Sequence, residues 1–119
     1  MKGLIGVVED YPSLRIAFGK QLARFGCDGE FFADILEVVA SRRNTLTADS
    51  RQIIVHLKSQ MLTQEVYKLI TEQLQALAGC KLLLLVQDQE LKRFLEQLPL
   101  QNTRIEYIDW FWEIQKLPN

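Results

Sequence analysis

Cysteine, proline and histidine are scarce in this chain of 119 residues, with two, three and one respectively. The two cysteines, Cys27 and Cys80, are too few and too far apart for a disulfide framework or a zinc knuckle. Each adjoins an apolar stretch, where a free thiol packs as a small hydrophobe. The formal net charge is only −1, so no surplus of basic residues is available to coat a phosphate backbone, and direct nucleic-acid binding by this domain is not expected. Long hydrophobic runs are missing as well. The longest, Leu82–Val86, falls far short of the roughly 20 apolar residues that cross a bilayer, and no signal-peptide pattern precedes the first apolar segment. The expectation is a cytoplasmic protein without membrane contacts. Glycines are not gathered into a phosphate-cradling loop: Gly3 and Gly6 fall inside the first predicted strand and do not make a dinucleotide fingerprint. No internal repeat or low-complexity tract is visible.

What is present is a regular alternation. A hydrophobic share of 48% with 24% charged residues is that of an ordinary globular domain, and 119 residues suffice for one core. Residues 1–119 therefore read as a single domain, complete in itself or the N-terminal domain of something longer. Leu4–Glu9 is an apolar run without strict alternation, the mark of a strand covered on both faces. Pro12 favours a helix start, and Leu14, Ala17, Phe18, Leu22 and Phe25 form its apolar stripe, closed by Gly26. Cys27–Phe32 reads as a weaker, outer strand. Asp34 suits the cap of a helix through Ile35, Leu36, Val38 and Val39 to Arg43. After a polar loop come the strand Gln52–Leu57 and a helix from Thr63, with Val66, Leu69, Ile70, Leu74 and Leu77 on one face and a stop at Gly79. The strand Lys81–Val86, a short helix Gln89–Leu98 ended by Pro99, and the strand Arg104–Asp109 complete the series.

Strands alternating with helices over short links predict a parallel sheet with helices on both faces, and right-handed crossovers restrict its topology. The expected fold is α/β and flavodoxin-like: five parallel strands in the order 2-1-3-4-5. That order places the carboxyl ends of the first and third strands side by side, so Glu9, Asp10 and His56 converge. Only Trp110 to Asn119 follow the last strand, and Pro118 discourages helix there, so a closing helix is expected to be short or absent. A sheet face with reduced cover tends to serve as a partner surface.

The segment Val7-Val8-Glu9-Asp10-Tyr11-Pro12-Ser13-Leu14-Arg15 resembles the opening of bacterial response-regulator receiver domains, and the likeness continues through Leu22, Phe25 and Gly26. Spread over about residues 3–112, it implies the same five-stranded fold. It also implies that Glu9 and Asp10 stand where receivers hold magnesium, a hard cation suited to carboxylate oxygens. The chain departs from the pattern at three active positions. His56 stands where receivers carry the phosphoryl-accepting aspartate. Val86 and Gln87 stand where a switch hydroxyl is expected. No lysine follows the last strand until Lys116, although the family's lysine would fall near Trp110. Tyr107 takes the place of the aromatic switch residue, or is an ordinary strand aromatic.

Three losses together argue against aspartyl-phosphate signalling. The resemblance then implies an atypical, or pseudo-, receiver: a phosphorylation-independent signalling module that is not an enzyme, requires no cofactor, and leaves magnesium at Glu9 and Asp10 as an option. Its expected partner is another protein or a second copy, held through the fourth helix, the fifth strand and Trp110, Phe111 and Trp112. Those aromatics suit a contact hot spot, or else pack a stub helix. The alternative is the regulatory domain of a transcription regulator whose DNA-binding output lies outside this chain. His56 itself reads as a polar strand-end residue bonded to Glu9 or Asp10. Readings as a metal ligand, a general base or a proton sensor stand beside that one. Lys58, two residues on, reads as a solvated loop side chain, or as a source of positive charge for the site.

Overall fold

Where successive strands run parallel, a helix must carry the chain back between them, and the predicted alternation is what forms. The computed structural model describes residues 3–43, 52–58 and 60–108. The elements are β1 (Gly3–Val8), α1 (Pro12–Arg24), β2 (Cys27–Phe32), α2 (Ile35–Arg43), β3 (Gln52–Leu57), α3 (Gln64–Gln75), β4 (Lys81–Val86), α4 (Gln89–Glu96) and β5 (Thr103–Tyr107). The five strands form one parallel sheet in the order β2-β1-β3-β4-β5. The closing helix falls in residues 109–119, outside the described residues.

Local chemistry sets the helix boundaries. Pro12 opens α1, where a missing N–H costs nothing, and Gly26 (φ 71°) takes the left-handed conformation just beyond its end. At the start of α2 the Asp34 carboxylate accepts from Glu37 N at 3.0 Å, and Glu37 reaches back to accept from Ala33 N at 2.8 Å, in the manner of a capping box. Thr63 caps α3 by accepting from Val66 N at 3.2 Å. Asp88 caps α4, accepting from Glu90 N and Leu91 N at 2.8 and 3.3 Å.

The sheet divides the core into two layers. Val8, Phe32, Val55, Leu57, Leu84 and Val86 face α2, α3 and α4, meeting Val38, Ile70, Leu74, Leu91 and Leu95. The alternate residues Val7 and Leu85 face the side of α1, with Phe18, Leu22 and Ile108. On that second side a groove opens beside Ile5, Ile54, Leu83 and Arg104.

Several expected boundaries and burials differ. β1 ends at Val8 rather than Glu9, and β5 runs Thr103–Tyr107 rather than to Asp109. α4 stops at Glu96, followed by tight turns in which Gln97 N and Leu98 N reach Phe94 O and Leu95 O. α3 stops at Gln75, short of Gly79 (φ 95°). Phe25 is exposed because it is the C-cap of α1 and has left the helical spiral. Leu36 is 66% exposed, since Ile35 and Val38 take the inward face of α2 and the next position turns about 100° away. Leu69, expected inside, is also exposed, because the buried line through Ile70 and Leu74 leaves it on the flank of α3.

Candidate functional site

Val8 of β1 pairs with Val55 of β3, so the next residues, Glu9 and His56, leave their strands side by side. β1 lies inside the sheet, between β2 and β3, which carries the Glu9 carboxylate into the interior, and its backbone N donates to Phe32 O at 2.9 Å. The Glu9 and His56 side chains are 0% and 1% exposed, the only buried charged or polar residues among the described core. Their contact is short: His56 Nδ1 lies 2.6 Å from Glu9 Oε1. The Phe18 ring of α1 meets the imidazole edge-on, with centroids 6.3 Å apart.

The second carboxylate oxygen is equally committed. Glu9 Oε2 accepts from the backbone N–H groups of Asp10 (2.8 Å) and Tyr11 (3.2 Å) and from Lys58 Nζ (2.7 Å). Donors crowd Oε2, which leaves Oε1 as the acceptor for a proton on His56 Nδ1. His56 Nε2 is then left buried without a partner among the described residues. Arg15 Nε, from the first turn of α1, donates to the Glu9 carbonyl oxygen.

Lys58 closes the cluster from the solvent side. Its ammonium bridges Glu9 and Asp10 and rests 4.2 Å from the centroid of the Tyr11 ring, within cation–π range. The hydrogen bond from Lys58 holds the Asp10 carboxyl below the ordinary aspartate value, against a smaller opposing effect of desolvation. For Lys58, burial works against the charged form, but the hydrogen bonds to Asp10 and Glu9, with their charges, outweigh it and raise the ammonium above the ordinary lysine value.

Glu9, Asp10 and His56 are thus brought together as expected, and His56 bonds Glu9. Of the two readings of Lys58, the solvated loop side chain is corrected: its ammonium is tied to both acids, and its side chain is only 34% exposed. Alternation offered a signal, since residues 56 and 58 lean to the same side of an extended chain. Arg15 was also missed, and sits one helical turn past Tyr11, with its own N–H bonded to Tyr11 O. Val86 is wholly buried and its carbonyl accepts from Ile108 N at 2.8 Å, Gln87 is half-buried beyond the strand, and Tyr107 packs against the layer under α4. Trp110, Phe111 and Trp112 lie outside the described residues.

The donor set does not suit magnesium. A hard cation needs free carboxylate oxygens, yet both oxygens of Glu9 are engaged and an ammonium already spans the acid pair. Among the described residues no group of three or more His, Cys, Asp or Glu side chains is arranged to hold a metal ion. Phosphoryl acceptance fares no better: one imidazole nitrogen is bonded to Glu9 and the other has no exposed surface.

No family model and no curated protein matches the chain. Two solved solution structures share its architecture. A de novo designed Rossmann 2x3 fold protein superimposes with a TM-score of 0.62 at 21% identity, covering 98% of this chain and 85% of that one. A de novo designed protein of the P-loop NTPase fold gives 0.50 at 20% identity, covering 98% and 86%. Both likenesses concern the fold, which is a Rossmann-like, flavodoxin-like α/β sandwich. No helix among the described residues is long and apolar enough to cross a membrane.

Proposed function

We propose that this chain is a receiver-like signalling module of the atypical kind, acting through protein contact and not through a phosphoryl group. The observation that carries the reading is the buried 2.6 Å bond between His56 and Glu9. It occupies the place where the resemblance puts a free aspartate beside a metal-binding acid. The resemblance puts a nucleophilic carboxylate at that position, whereas here an imidazole is tied to Glu9 by an internal hydrogen bond. On this reading the module is not an enzyme, and information passes through its surface.

The surface favoured is that of α4, β5 and the residues following them. Among the described residues β5 is the last strand of the sheet, and an edge strand is a ready template for an added one. Its described side chains are polar at the rim, where Arg104 Nε pairs with Glu106 at 2.6 Å, and α4 turns Leu91 and Leu95 inward. Apolar area at this face is offered by the half-buried Leu98, Leu100 and Ile105, and the sequence that follows adds Trp110, Phe111 and Trp112, residue types enriched in contact hot spots. Incubation with acetyl phosphate and magnesium, followed by intact-mass measurement, tests the reading. The mass should stay unchanged; a stoichiometric phosphoryl adduct overturns it.

A further inference from the structure

We propose that Lys58 is the resident cation of this fold's acidic tip, so that the protein needs no divalent ion to hold the β1–α1 and β3–α3 links together. The inference stands on geometry and does not depend on the signalling role. Glu9 and Asp10 are adjacent carboxylates at a strand end, one wholly buried and the other 59% exposed. Two such charges repel, and a buried one demands a compensating charge or several hydrogen bonds. The backbone N–H groups of Asp10 and Tyr11 and the His56 ring supply hydrogen bonds. Positive charge comes from the Lys58 ammonium, which reaches both carboxylates at once. Arg15, a second cation nearby among the described residues, is directed to the Glu9 carbonyl oxygen and lies over the Phe31 ring.

A single ammonium bridging two carboxylates takes the bridging place a hydrated divalent cation would take there. It offsets one of the two negative charges and ties the segment after β3 to the segment after β1. It differs in being covalently attached, so its local concentration is fixed and cannot be lowered by chelation or dilution. Tyr11 reinforces the arrangement by presenting its ring face to the ammonium. The raised ammonium and lowered Asp10 carboxyl agree with a bond maintained across the neutral range.

The test replaces the cation and asks whether the acids then take one from solution. The substitution Lys58→Met keeps the apolar stem and removes the charge. Thermal melts of the full chain are recorded with EDTA, with magnesium at about 10 mM, and with sodium chloride of matched ionic strength. The wild type should melt at the same temperature in magnesium and in matched salt. K58M should melt roughly 5 °C lower in EDTA, and magnesium should restore part of the loss where matched salt does not. Lys58→Arg, which keeps the charge, should remain insensitive to magnesium. If K58M does not fold in EDTA, its refolding yield with and without magnesium is the readout, and no recovery with magnesium counts against the proposal. A wild type specifically stabilised by magnesium, or a K58M protein no more responsive than wild type, overturns it. None of these results bears on whether acetyl phosphate modifies the chain, so the two readings fail separately.

Discussion

At the scale of single residues, the energetics gather on Glu9. A buried carboxylate survives because every lone-pair direction in use meets a donor, and removing one donor exposes the cost of the group it served. His56→Ala deletes the partner of Oε1 and opens a gap beside Phe18. It should lower unfolding free energy by about 2–4 kcal/mol in urea titrations; a loss below about 0.5 kcal/mol would mean the bond is not structural. The Asp10–Lys58 pair predicts a pH profile. Asp10's carboxyl is depressed below 3.8, so its contribution is complete above that value and lost as pH falls through the lower folded value. Lys58 is raised above 10.5, so its contribution is complete below that value and lost as pH rises through the higher folded value. Urea midpoints of wild type and Asp10→Asn should differ by a constant amount between these limits and converge at more acid pH. A difference that does not narrow in acid contradicts the pairing.

At the scale of elements, capping and periodicity account for most of the boundaries. Asp88 serves two N–H groups of the eight-residue α4, and Thr63 serves one of α3. Asp88→Ala and Thr63→Ala should each cost about 1 kcal/mol, with Asp88 the larger, and denaturation showing no loss at either would refute the caps. The strands were legible in sequence because Ile53, Val55, Leu82 and Leu84 are β-formers or buried apolar residues in short runs bounded by polar segments. The helix faces were less so. Leu36 and Leu69 are apolar and near the correct spacing, yet exposed, because a 100° step per residue makes the edge of an apolar stripe ambiguous until its partner is known. The convergence of Glu9 with His56 followed from strand order. Lys58 did not, since it lies just past the last residue of β3 and its role depends on a long stem bending back over Tyr11.

At the scale of the whole molecule, the sheet order places the carboxyl ends of β1 and β3 together at the switch point, where ligands enter open α/β sheets. In this chain that position is filled by its own side chains. Among the described residues both Glu9 oxygens are engaged, by His56 on one side and by Lys58 and two backbone N–H groups on the other, and the Lys58 ammonium spans the acid pair that would hold magnesium. On the function proposed above, this end of the sheet does not respond to phosphoryl chemistry, and a signal passes through a surface such as that of α4 and β5. The most direct measurement is a pair of ¹⁵N–¹H correlation spectra of the full chain, without and with beryllofluoride and magnesium. The amide shifts of Glu9, Asp10, His56, Lys58, Gln87 and Tyr107 should stay unchanged. Saturable shifts spreading from Glu9 and His56 to Gln87 and Tyr107 would contradict the proposed function.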